Sequence, residues 1–150
     1  MVKFALVGCG RIAKRHSELL GHNKINGAKL LAVCDTSIGK AKKISSMFNV
    51  MAYDDMDNMM ESVDVDVVVV CPCSAATLGK IANGITDNLI TRVSDGCLRT
   101  GKKLIVCPRE TPISLPQVEN MGKILKAGGI VLPLNVAFYN KPKNIDDIVS

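Results

Sequence analysis

The feature that most constrains this chain is the run Phe4-Ala5-Leu6-Val7-Gly8-Cys9-Gly10-Arg11-Ile12-Ala13, an apolar strand that breaks at glycine and restarts at helical spacing. Such a junction commits a chain to a parallel layout, because a crossover helix must return over the sheet before the next strand can pair. The rest of the sequence keeps the alternation. Strand-sized apolar runs are expected at residues 3–7, 30–34, 50–53, 65–71, 104–107 and 130–134. Helical spacing is expected over 12–20, 38–48, 56–63, 77–98 with a break at Gly84, and 116–127, where Val118, Met121, Ile124 and Leu125 share a face. A further helix is expected to start around Ile145.

This pattern predicts an α/β fold: one doubly wound parallel sheet, Rossmann-like, with strand order 3-2-1-4-5-6 and helices on both faces. With 150 residues, the chain is expected to form a single domain spanning 1–150, with a front half over 1–70 and a back half over 71–150. The longest apolar stretch, 67–71, is strand-sized, so no membrane partner is expected. The first residues read as a strand carrying Lys3 rather than an export signal, and a cytoplasmic setting is expected. Six cysteines sit mostly in or beside strand-like runs, where Cys acts as a small hydrophobe; with only His16 and His22 available, no metal site is expected.

The net charge of +5 lies mostly in the back half: residues 1–70 hold nine basic and eight acidic groups, residues 71–150 ten and six. Aromatics at 3% leave almost nothing to stack bases, so a phosphate-bearing small ligand accounts for the surplus better than nucleic acid. The glycine turn points the same way. In Gly8-x-Gly10-x-x-Ala13, Gly8 permits the tight turn, Gly10 lets backbone N–H groups approach a pyrophosphate, and Ala13 lets helix and strand pack closely. Asp35 closes the second strand at a spacing suited to ribose hydroxyls, a choice that favours NAD over its phosphorylated form. The competing reading is a glycine turn with a capping Asp.

Together with Arg15-His16, Val33-Cys34-Asp35 and the run 64–70, this front half resembles the glucose–fructose oxidoreductase and inositol dehydrogenase family, in particular its branch acting on UDP-N-acetylaminosugar uronates. That resemblance implies NAD, bound by Gly8, Gly10, Arg11, Ile12 and Asp35. It also implies a Glu-Lys-Pro loop after the fifth strand, where this chain has Arg109-Glu110-Thr111-Pro112. An arginine stays protonated and cannot shuttle protons as lysine does, so sugar oxidation is not expected.

From about residue 69 onward other motifs take over: Pro72-Cys73-Ser74 with Thr77-Leu78, Ile81-Ala82-Asn83-Gly84, Asp87-Asn88-Leu89-Ile90-Thr91-Arg92, Pro108-Arg109-Glu110-Thr111-Pro112, and Ala137-Phe138-Tyr139 followed by Pro142 and Asp146-Asp147. This back half resembles the flavin prenyltransferases, which attach a dimethylallyl group to reduced FMN. The resemblance implies FMN contacts from Ser74, Ala75, Ala76 and Thr77, and a flavin or phosphate contact from Arg109. It further implies a prenyl-phosphate pocket lined by Glu110 and Tyr139 as catalytic residues, with Arg92 in the same polar network and Arg99 in place of a phosphate-binding lysine. Because neighbouring subunits complete that family's pocket, it also implies a homo-oligomer.

The family's Gly-Ser-Gly-type flavin loop and catalytic Glu of the first half have no counterpart here. The sequence is therefore expected to be an engineered join of two ancestries near Val70-Cys71, binding NAD or FMN where the first and fourth strands end and turning over inefficiently. A flavin prenyltransferase and a ligand-free scaffold are the alternatives.

Overall fold

The computed structural model describes residues 1–135. Strands and helices alternate as β1 (Val2–Val7), α1 (Ala13–Gly21), β2 (Ala28–Cys34), α2 (Ile38–Phe48), β3 (Met51–Tyr53), α3 (Met56–Ser62), β4 (Val68–Cys73), α4 (Ala75–Ala82), α5 (Leu89–Thr100), β5 (Leu104–Pro108), α6 (Leu115–Lys126) and β6 (Ile130–Val131). All four strand ladders are parallel. The α/β class and the Rossmann-like alternation are as the sequence predicts.

The single sheet is not. The strands form two three-stranded sheets, ordered β1-β2-β3 and β4-β5-β6, and among the described residues no ladder joins β1 to β4. Below them, β1 is tied to the loop ahead of β4, where Lys3 N–H donates to Asp66 Oδ2 at 2.8 Å and Asp66 N–H donates to Lys3 O at 3.3 Å. Lys3 Nζ also pairs with Asp64. These acidic residues tie the approach to β4 down as loop, which is why the strand starts at Val68 rather than at residue 65. At its upper end β4 runs on through Pro72 to Cys73, and the ladder with β5 shifts register between Val70 and Cys73. Pro72 has no N–H to give that ladder.

The core follows the sheets. Leu30, Val33, Ala41 and Ile44 pack with Cys9 and Ala13 beneath α1 and α2. On the opposite face Ala32 and Cys34 join Met56, Met59, Val70, Leu78, Leu104, Val106 and Ile124 in one cluster, so β2 packs into the same core as the second sheet although the sheets are not hydrogen-bonded together.

Helix ends match local chemistry. The stretch expected as a helix with a break is two helices: α4 stops at Ala82, Gly84 takes φ +68, and α5 restarts under a capping box of Asn88 and Thr91. Ser114 and Gln117 cap α6 the same way, with Pro116 in its first turn. On α6 only part of the expected apolar face is covered: Ile124 is fully buried, while Val118 and Leu125 remain more than half exposed. Gly8 and Gly21 are required by geometry near the glycine turn and α1. Gly8 adopts φ +86 at the end of β1, and a side chain at Gly21 would collide with the Phe48 ring, which itself stacks edge-on against His22 at 5.1 Å.

Candidate functional site

Open parallel sheets place ligands beyond the carboxyl ends of their strands, and two groups of candidate residues lie there. The first is the glycine turn. Gly8 N–H donates to Cys34 O at 2.8 Å, locking the end of β1 to β2. Asp35 then clamps the turn: its Oδ2 accepts from Cys9 N–H and its Oδ1 from Ser37 N–H, both at 2.8 Å. Both carboxylate oxygens are thus engaged by backbone, one across the turn and one ahead of α2. This is the clamp that the competing reading of Asp35 requires, and it leaves each carboxylate oxygen a further acceptor position. Gly10, Arg11 and Ile12 are exposed on the rim, and a Cβ at Gly10 would meet nothing within 4 Å. Burial and the neighbouring Asp35 carboxylate push the Cys9 thiol up to about 11, so it is no nucleophile at neutral pH.

The second group surrounds the start of α4. Ser74 caps the helix, its Oγ accepting from Thr77 N–H at 3.2 Å and lying 3.1 Å from Thr77 Oγ1. Ala75 and Ala76 follow in the first turn, where backbone N–H groups point outward and the helix dipole favours an anion. The loop after β5 crosses directly over this end. Arg109 N–H donates to Cys73 O at 3.4 Å, and Glu110 Oε1 accepts a long hydrogen bond from Ala75 N–H at 3.4 Å. A side-chain carboxylate therefore already sits where an anionic ligand would be drawn.

Arg109 is exposed, and among the described residues its guanidinium makes no ion pair. Beneath the loop lies a small cavity of about 70 Å³ lined by Ala75, Leu78, Arg109, Glu110, Gln117 and Met121, among others. Gln117 and Met121 belong to α6; Met121 also falls in the run Glu119-Asn120-Met121 that resembles the flavin prenyltransferases, while Gln117 carried no signal in the sequence. Burial pushes the Cys73 thiol up to about 12, which makes it a packing residue.

Two expected members stand apart from this group. Arg92, on the first turn of α5, is bound to Asp57 of α3 at 2.9 Å, and Arg99 pairs with Asp95 one turn earlier on its own helix at 2.9 Å. Arg92 is held by a carboxylate of another helix and Arg99 by one on its own, so neither joins Arg109 and Glu110. Tyr139 lies outside the described residues. Among the described residues no group of three or more His, Cys, Asp or Glu side chains is placed to hold a metal. No helix among them is long and apolar enough to cross a membrane.

Residues 51–150, two thirds of the chain, match the Flavoprotein family. The chain belongs to that family. The flavin prenyltransferase UbiX of Methanocaldococcus jannaschii is 53% identical over 85 residues, which cover 57% of this chain and 46% of that protein. The chain thus spans about half the length of the curated relatives it matches. In three dimensions it resembles the phenylacrylic acid decarboxylase of Aquifex aeolicus over 99% of this chain and 90% of that one, with a TM-score of 0.71 and 31% identity. A dodecameric FMN-dependent UbiX-like decarboxylase from Escherichia coli O157:H7 is matched over 99% and 88%, with a TM-score of 0.71 and 27% identity.

The dehydrogenase likeness is one of fold alone. The WlbA dehydrogenase of Chromobactrium violaceum superposes with a TM-score of 0.58 at 21% identity, covering 93% of this chain and 36% of that one. The family match begins upstream of Val70-Cys71, and the Aquifex structure covers nearly the whole chain, so the comparisons lend no support to two ancestries joined at that point.

Proposed function

We propose that this chain binds FMN at the carboxyl ends of β4 and β5 and acts as a flavin prenyltransferase. The observation that carries the reading is the convergence of the α4 N-terminus and the Arg109-Glu110 loop, held together through Ala75 N–H and Glu110 Oε1 at 3.4 Å. These donors suit a phosphate monoester: the Ser74 and Thr77 hydroxyls, the first backbone N–H groups of α4, and a guanidinium free of ion pairs among the described residues. FMN, once bound and reduced, would supply the flavin ring that takes the prenyl group.

The protein's part is positioning and charge. Arg109 offsets charge on a phosphate, and the helix dipole adds to it without any reorganisation. Glu110 occupies the same end of α4 as a fixed anion and must move aside, or be displaced, when a phosphate enters. That exchange would bring its carboxylate beside the second substrate, a prenyl phosphate whose allylic C–O bond breaks as the phosphate leaves with the electron pair. Tyr139 is assigned to the same pocket by resemblance. Homo-oligomerisation belongs to this reading too, since the UbiX-like decarboxylase above is a dodecamer.

The test is direct. Protein incubated without oxygen with reduced FMN and dimethylallyl phosphate should yield FMN heavier by one prenyl group, with release of inorganic phosphate, and Arg109→Ala should abolish both. FMN binding without either product would remove the transferase assignment and leave a flavin-binding protein.

A further inference from the structure

All six cysteines lie among the described residues; five are buried, and Cys71 alone reaches partway to the surface. It stands near the upper end of β4, next to β5. Val70 pairs with Val106 in that ladder, and both turn into the core with Leu78 and Ile124. The residues that follow them, Cys71 and Cys107, are therefore neighbours turned to the opposite face of the sheet. The ladder resumes with Cys73 against Pro108, which leaves Cys107 beside Cys71 and Pro72 at the register shift. The Cys71 and Cys107 thiols lie within hydrogen-bonding reach of each other.

Both the spacing and the access suit a bridge. Adjacent strands run about 4.7–4.9 Å apart, inside the ~4.4–6.8 Å between α-carbons that a disulfide spans. Cys71 borders the gap of about 630 Å³ between β1 and β4, where Val69 is 40% exposed, so a small reagent has room to approach it. Cys107 is 2% exposed, and a reagent meets Cys71 first. Burial, with the Cys71 thiol beside it, pushes the Cys107 thiol up to about 11, which suits it to close a bridge rather than to start one.

We propose that Cys71 and Cys107 are a dithiol pair that a low-molecular-weight disulfide oxidises to a reversible cross-strand bridge, bracing the ends of β4 and β5 that lead to Ser74 and Arg109. The Cys71 sulfur attacks one sulfur of the reagent, the reagent's S–S bond breaks, and one reagent thiolate leaves with the electron pair. The Cys107 sulfur then attacks Cys71 and expels the second. The protein's two thiol protons pass to the two released thiolates, so the cysteines are oxidised, the reagent is reduced, and no further reactant is needed. A bridge partly open to solvent belongs to the labile class, which a small thiol returns to the dithiol. The inference does not rest on the FMN reading, because neither step involves a ligand of the candidate site.

Incubation of the folded protein with hydroxyethyl disulfide, followed by intact-mass and tryptic mass spectrometry, tests it. The wild type should end about 2 Da lighter, through loss of two hydrogens, and dithiothreitol should restore the mass. Trypsin should release the segment 44–80, which holds Cys71 and Cys73, linked to the segment 104–109, which holds Cys107. Cys73→Ser should form the same bridge, Cys71→Ser should form none, and Cys107→Ala should stop with one reagent thiol attached at Cys71. A wild type that stops at that adduct, a bridge that survives Cys71→Ser, or a folded protein that does not react would overturn the pair. Amide hydrogen exchange at Arg109, whose N–H reaches Cys73 O across the same two strands, should be slower in the bridged protein, and unchanged or faster exchange would overturn the bracing.

Discussion

Replacing Asp35 by alanine separates two roles that the sequence leaves open. As a clamp, the carboxylate accepts two backbone hydrogen bonds, from Cys9 N–H and Ser37 N–H, each 2.8 Å long. The first is partly buried and links residues far apart in sequence; a charge-assisted bond of that kind contributes about 1.5–3 kcal/mol, and its loss also frees the glycine turn from β2. The second is exposed and local, adding about 0.5–1 kcal/mol. Asp35→Ala should therefore destabilise the fold by about 2–4 kcal/mol, which for a domain of this size lowers the melting temperature by about 4–16 °C. Asp35→Asn, which keeps one acceptor oxygen, should lose about half as much. Thermal unfolding of the three proteins, with and without NAD and FMN, reads the result. The wild type should be stabilised by FMN and not by NAD, and Asp35→Ala should keep its FMN response. A variant as stable as the wild type that had lost an NAD-induced shift would refute the clamp and restore the ribose role.

Three further outcomes follow from packing, capping and titration. Gly21→Ala should destabilise the protein by about 1–3 kcal/mol in denaturant unfolding, because its Cβ meets the Phe48 ring against His22; a neutral substitution would show that the ring moves freely. Ser74→Ala removes the cap of α4 and should cost about 1 kcal/mol of stability, while also weakening FMN binding if that hydroxyl contacts the ligand; unchanged stability and affinity together would remove both roles. Alkaline pH should destabilise the fold. The Cys9, Cys34 and Cys73 thiols titrate at 9.0 when free but are pushed up to about 11, 11 and 12 by burial, so the stability they contribute is intact below pH 9. Above it the unfolded chain loses protons first, and each of these thiols costs the fold about 1.4 kcal/mol per pH unit until the folded value is reached. A melting temperature flat from pH 8 to 10.5 would contradict their burial.

Much of the fold could be read from residue order because its signals are local. Helix α2 falls on the expected residues, with Ala41 and Ile44 buried as their spacing requires. The split between α4 and α5 was visible in Gly84, though not the restart at Leu89, since that depends on Asn88 and Thr91 capping each other. What residue order could not show is non-local. The pull of Lys3 on Asp64 and Asp66 shortens β4 from below, and the failure of β1 and β4 to form a ladder splits a sheet that strand patterns alone predict as continuous. At the candidate site, Ser74, Thr77, Arg109 and Glu110 lie close together because strands β4 and β5 are adjacent and their carboxyl ends must meet, while their ligand contacts are implied by resemblance alone. The partner of Arg92 was not legible for the complementary reason: nothing in its neighbourhood in sequence reveals Asp57, 35 residues earlier.

Titration of FMN into the wild type, Arg109→Ala and Gly10→Val, followed by quenching of flavin fluorescence, bears most directly on the central claim. Saturable binding by the wild type and by Gly10→Val, with loss of at least about tenfold in affinity for Arg109→Ala, is the expected result. FMN binding that survives Arg109→Ala and disappears in Gly10→Val would contradict it, placing the ligand on the glycine turn instead of at the start of α4.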